Sequence, residues 1–194
     1  MFQHMLLVAI VPPLLFSGMP GWLLDGVMER LHLVRIMRVL VHPVVAWFSF
    51  TLGYSVWHLP VFYEAALQSK MIHVLEHAMM FFSACQLWWC LMSRSQRIPA
   101  LAYGIRMVYV VLLMIGQFPV FGCLTLSEEV IYPTYLYAPR LGDWLPEHDQ
   151  ILGGVIMNVT QMIAYMAVFC ASFCAWYKGD PGSRTYTGPL VRQT

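Results

Sequence analysis

Long apolar runs constrain this chain more than any other feature. A helix needs about 20 mostly apolar residues to cross the hydrocarbon of a bilayer, and five stretches reach that length: roughly residues 1 to 24, 40 to 63, 71 to 92, 101 to 126 and 150 to 177. With 59% hydrophobic and only 11% charged residues over 194 positions, the chain is far more apolar than a water-soluble domain. The sequence therefore predicts an all-α, polytopic transmembrane helix bundle of about five spans over residues 1–177, followed by a tail at 178–194. No internal repeat, low-complexity tract or soluble domain interrupts it. The first run has no basic leader and no clear small-residue cleavage site, and it contains "VPPLL". It is expected to stay in the protein and not to act as a signal peptide.

The lysines and arginines give an orientation. Arg30, Arg35, Arg38, Arg94, Arg97, Lys178, Arg184 and Arg192 follow the odd-numbered runs, against Lys70 and Arg140 in the other two loops. The positive-inside rule then places the N-terminus outside and the tail in the cytoplasm, as for a multi-pass protein of a bacterial inner membrane. Glu64, Glu128, Glu129, Asp143, Glu147 and Asp149 all fall on the outer side, giving that face a cation-attracting field. With a net charge of +1, lipid and membrane subunits are the expected partners and nucleic acid is not. The connector "DGVMERLHLVRIMRVL" reads as an interfacial amphipathic helix, its arginines near anionic headgroups, or as a solvated linker helix.

This topology gathers the histidines. His4, His58, His73, His77 and His148 fall at the outer face, leaving His32 and His42 elsewhere. In "HVLEH" the two histidines are four apart, so on a helix they share one face with a rise of about 6 Å between them, a spacing suited to chelation. Glu76 can join them, hold an imidazole in one tautomer, or carry protons. Ionisable groups in a span are costly and mark function more often than packing, although residues at a helix end can also be simply hydrated.

Several chemistries fit these residues. "HxxEH" is formally the pattern of a zinc metallopeptidase with two ligands and a glutamate base, but a peptidase also needs a third ligand and a substrate groove, for which no region is evident. Bis-histidine haem ligation is disfavoured by histidines at helix ends. Imidazole with the thioethers of Met5, Met71, Met79 and Met80 suits copper, above all Cu(I), though methionine is also ordinary core filler. Metal held this way is released in acid, because protonated imidazole cannot bind it.

The remaining signals are weaker. Cys85, Cys90, Cys123, Cys170 and Cys174 all lie within the runs and form no regular framework. "WHLPVFYEAAL" reads as the aromatic belt and helix stop of the second run. "GQFPVFG" is expected to break the fourth run at Pro119. The segment "IYPTYLYAPRLGDWLPEHDQ" reads as either an interfacial belt or a lid.

Four segments together carry a resemblance. "FQHMLLVAIVPPLLFSGMP", "HPVVAWFSFTLGYSVWHLPVFYEAAL", "IHVLEHAMMFFSACQLWWCLM" and "YPTYLYAPRLGDWLPEHDQILGGVIM" occur in the order and spacing of the cytochrome c oxidase assembly factor family CtaG, over roughly residues 2 to 165. The resemblance combines "QHMLL…PPLL", "WHxPxxYxxAL", "HxxEH" and "DQxLGG". It implies a non-catalytic membrane protein that helps form haem-copper terminal oxidases by binding copper, transiently, and supplying it to oxidase subunits. It implies metal-site roles for His4, His58, His73, Glu76, His77 and Asp149. Relatives commonly carry further spans and another histidine before the "QHM" motif, and tryptophan where this chain has Asn158 after "GGVIM". A member shortened in this way could instead serve as a permanent accessory subunit of a respiratory or other copper-dependent membrane complex.

Overall fold

The computed structural model describes residues 2–127, 129–137 and 145–179, of which 83% are helical, with no strand among them. The chain opens with α1 (Phe2–Met5), a π-helical turn (Leu6–Ile10) and α2 (Val11–Gly18), followed by α3 (Gly21–Arg30) and α4 (Val34–Leu40). Next come α5 (Pro43–Trp57), α6 (Pro60–Gln68), α7 (Lys70–Met92), α8 (Tyr103–Leu126), the single turn α9 (Thr134–Tyr137) and α10 (Pro146–Tyr177).

Proline sets many of these boundaries. Pro43, Pro60 and Pro146 open α5, α6 and α10, where the missing N–H costs nothing because the first donors of a helix have no partner. Residues before proline avoid the helical region, so His42, Leu59 and Leu145 are extended and each preceding segment ends there. Pro119 behaves differently from the sequence expectation: α8 runs through it unbroken. One lost backbone bond in a 24-residue helix, with neighbours packed on both sides, is not enough to end it.

Among the described residues two helices, α8 and α10, are long and apolar enough to cross a membrane, and each of two bent pairs can supply one more span. The first pair joins Gln3–Gly18 to Gly21–Arg30 at 93°, and the second joins Val34–Leu40 to Pro43–Trp57 at 60°. The first run is therefore not straight: Met19 is extended ahead of Pro20, and the chain turns sharply before α3. Helix α7 has the length to span, with 23 residues or about 34 Å. His73, Glu76, His77 and Gln86 break its apolar surface, however, and it is not among those candidates.

The expected single connector helix is in fact two. His32 takes a left-handed conformation, φ 55°, while His32 N–H donates to Glu29 O at 3.1 Å and Leu33 N–H to Met28 O at 2.8 Å. This is the reciprocal bonding of a Schellman stop, and it ends α3 before α4 begins.

Helix α7 sits at the centre, packed against α5, α2, α6 and the π-helical turn, while α5 links it to α8, which pairs with α10. Its buried Met80, Ala84, Leu87 and Leu91 repeat at four, three and four residues, the spacing of one helix face. At one end of the bundle, α3 is pressed against the α7–α8 loop: a Cβ on Gly21 would lie 2.1 Å from the Arg94 carbonyl oxygen, so only glycine fits there.

Candidate metal centre

"VPP" explains how the first helix comes to face α7. Pro12 and Pro13 have no N–H, so the carbonyls of Val8 and Ala9 lose their usual partners one turn back. The chain responds with a π-helical turn, in which Val11 N–H reaches Leu6 O. The indole of Trp88, 1% exposed, donates to the freed Val8 carbonyl at 2.7 Å. That bond fastens the first helix to α7, and His4, one turn before Val8, comes to rest against the start of α7. The proline pair was legible in the sequence, but its indole partner was not.

His4 joins His73, Glu76 and His77 in one group, with a ligand atom from each lying within 4.8 Å of the others. The Nε2 atoms of His73 and His77 are 3.2 Å apart, as the four-residue spacing predicts. His4 Nε2 is 3.7 Å from Glu76 Oε1, and the His4 ring meets that of His77 edge-on, with centroids at 4.8 Å. Glu76 is 2% exposed and His4 8%. Burial of this kind requires partners, yet His4 Nδ1 and Glu76 Oε1 have none.

These separations fit a cation. Metal–imidazole bonds of about 2.0–2.1 Å in tetrahedral array place neighbouring ligand atoms roughly 3.3 Å apart. The 3.2 and 3.7 Å pairs are already near that value, and the widest separation closes by side-chain rotation. Imidazoles with one carboxylate make a borderline donor set open to copper or zinc.

His58 does not converge with His73 and His77 in the way the sequence predicts. Its Nδ1 lies 2.7 Å from the Tyr54 carbonyl. A carbonyl only accepts, so Nδ1 carries the proton, and Nε2 holds a lone pair that is buried without a partner. The bond and the tilted contact with the Tyr54 ring, with centroids at 4.4 Å, fold the ring back over α5 and keep it out of the group. The His58 carbonyl accepts from Tyr132 OH at 2.9 Å.

Asp149 also stands outside the group. It is exposed in the first turn of α10, where a carboxylate complements the helix dipole. It lines a separate cavity of about 230 Å³ with Tyr63, Tyr132 and Tyr135. Tyr63 stacks on Tyr132 at 4.1 Å and hydrogen-bonds Tyr135 at 2.7 Å, while Glu64 accepts from the Thr134 N–H at 3.0 Å and from its hydroxyl. These contacts tie residues 131–137 to α6 and form a wall beside His58. Aromatic and acidic residues in "YEAAL" and "IYPTY" were visible in the sequence, but their pairing across 70 residues was not. His148 is exposed and lies outside the group.

The methionines divide. Met5 and Met80 are buried in the core, whereas Met71 and Met79 are exposed. All five cysteines are free; Cys90 donates to the Val41 carbonyl at 3.3 Å, and none joins the histidine group.

Fold and site together define a membrane helix bundle with a partly buried histidine–carboxylate cluster where α1 meets α7. The chain belongs to the family of cytochrome c oxidase caa3 assembly factors (Caa3_CtaG), whose model matches residues 1–179. No curated protein and no solved structure matches it.

Proposed function

We propose that this protein serves the assembly of a haem-copper cytochrome c oxidase by holding copper, as cargo, in the His4–His73–Glu76–His77 cluster and passing it to an oxidase subunit. The observation that carries the reading is the cluster itself: three imidazoles and a carboxylate with ligand atoms within 4.8 Å, two of their buried polar atoms unpartnered. A cation held between His4 Nε2 and Glu76 Oε1 satisfies the carboxylate oxygen and neutralises it. The soft, readily exchanged Cu(I) ion suits a cluster of imidazoles. His58, with its bare Nε2, stands beside the cluster as a receiving ligand for a metal entering or leaving. The role is carriage, not catalysis.

In this reading the bundle has five spans with the cluster at the outer face, the chain entering from outside and its tail in the cytoplasm. Helix α7 then crosses the bilayer as the fifth span, because α5, α2 and α6 cover its ionisable residues with protein and not lipid. The basic residues of the α3–α4 region and the α7–α8 loop support the orientation.

The test is copper loading of the purified full chain. About one Cu(I) per chain is expected, lost when His73 and His77 both become alanine. Absence of copper, or equal loading of the double variant, refutes the assignment. Copurification with an oxidase at fixed stoichiometry, regardless of copper, would instead mark a permanent subunit.

A further inference from the structure

The copper reading leaves the far end of α7 unused. There α3 and α4 turn away from the helices they join, α3 from Gln3–Gly18 at 93° and α4 from Pro43–Trp57 at 60°. The α7–α8 loop is fastened to both: Asp25 of α3 accepts from Ser95 and Gln96, Glu29 pairs with Arg97, and Arg38 of α4 borders a small recess with Trp89, Ile98 and Pro99. Two separate segments thus form one ledge.

The ledge is basic. Its two acids, Asp25 and Glu29, are engaged by the loop, whereas Arg30, Arg35, Arg38 and Arg94 are exposed and form no ion pair among the described residues. It is also apolar, since Trp22, Leu31, Ile36 and Val39 are each more than half exposed. A solvated linker would not carry so much apolar surface. Leu31, Ile36 and Val39 each follow directly on an arginine. A protein interface gathers apolar side chains at its centre and charges at its rim. Charge and apolar group side by side along short helices is instead the pattern of a segment lying in the headgroup layer.

We propose that this ledge is a binding surface for anionic phospholipid: its apolar side chains enter the acyl region while Arg30, Arg35, Arg38 and Arg94 hold the phosphates above it. Guanidinium forks match phosphate oxygens in pairs, and the turns at 93° and 60° lay α3 and α4 along the membrane surface. The proposal is independent of the copper reading, whose residues lie at the opposite end of α7.

Native mass spectrometry of the full chain in detergent tests it, with titrations of phosphatidylglycerol and of phosphatidylcholine bearing the same acyl chains. The wild-type chain is expected to bind phosphatidylglycerol about fivefold or more tighter, since one arginine near an anionic surface contributes about fivefold. The Arg30→Gln, Arg35→Gln, Arg38→Gln triple variant should lose on the order of tenfold or more for phosphatidylglycerol and stay unchanged for phosphatidylcholine. Lysine at the same three positions, which keeps the charge, should retain most of the preference. Arg94→Gln alone should weaken phosphatidylglycerol about fivefold and gives a second reading should the triple variant misfold. Helical circular dichroism and copper loading should be unchanged in all of them, which separates failure here from failure of the copper assignment. Equal affinity of the wild-type chain for the two lipids overturns the proposal. So does a folded triple variant that binds phosphatidylglycerol as tightly as wild type, a result that would leave these arginines to an acidic protein segment.

Discussion

The bundle carries two polar knots, one where α1 meets α7 and one where α3 meets the α7–α8 loop, and each is centred on a carboxylate. In the second, Asp25 accepts from Ser95 Oγ at 2.5 Å and from Gln96 N–H at 3.0 Å. Ser95 Oγ accepts in turn from Ile98 N–H at 2.9 Å, and the Ile98 carbonyl takes the Trp89 indole at 3.0 Å. Both Asp25 oxygens are engaged by the protein itself. In the first knot, Glu76 is more deeply buried, yet its Oε1 has no hydrogen-bond partner and faces imidazoles. The closed knot holds a loop in place; the open one leaves a buried carboxylate oxygen without a protein donor. The two differ in hydrogen bonding where residue types alone do not tell them apart.

Breaking the open knot should give the largest effect. Replacing His73 and His77 together by alanine is expected to lower Cu(I) affinity more than a hundredfold, beyond the 10–100-fold typical of losing only a supporting partner. Competition against a chromophoric Cu(I) chelator reads this directly. Thermal unfolding of the metal-free double variant should change little, because neither imidazole is fully buried.

Glu76→Gln should move stability and affinity in opposite directions. It removes an unpartnered buried charge, so the metal-free protein is expected to gain about 1 kcal/mol, while copper affinity falls on the order of tenfold. Parallel unfolding and chelator titrations check both signs, and a loss of stability in the metal-free state would mean that the knot is closed after all.

Asp25→Ala is the reverse case. It strands the Ser95 hydroxyl and the Gln96 N–H, with an expected cost of about 2 kcal/mol and copper binding unchanged. Trp88→Phe lies between the two knots. It frees the Val8 carbonyl in the bundle interior at about 1–3 kcal/mol, and by loosening His4 it should weaken copper severalfold, a smaller change than loss of a ligand. Asp149→Asn should be smallest of all, within about twofold of wild type in both assays, since an exposed group at a helix start contributes only a few tenths of a kcal/mol to about 1 kcal/mol.

Much of this was legible from local rules. Apolar length gave the helical bundle, and the four-residue spacing placed His73 and His77 on one face. What local rules missed was how elements close on one another. Of the two histidines expected to join His73 and His77, His4 does so and His58 does not, because Nδ1 of His58 is tied to the carbonyl of its own helix at Tyr54. A turn-back bond of that kind leaves no trace in spacing. Likewise "VPP" announces a disturbed helix, but only the fold reveals that Trp88, 80 residues away, takes up the disturbance. The split at His32 escaped for the opposite reason: it interrupts an amphipathic run whose composition does not change across the break. Asp149 entered the set through the resemblance at "DQxLGG", and a motif fixes residue type and spacing but not the cavity a helix start comes to line.

If the open knot is a metal centre, its ligand atoms must surround the bound ion. X-ray absorption at the copper edge of the purified, Cu(I)-loaded chain tests it most directly, because it reads the atoms around the metal. About one copper per chain is expected, with nitrogen or oxygen neighbours at imidazole distance and clear imidazole scattering, reduced in His4→Ala and lost in the His73→Ala, His77→Ala double variant. A copper surrounded only by sulfur, or an imidazole signal that survives the double variant, would contradict it.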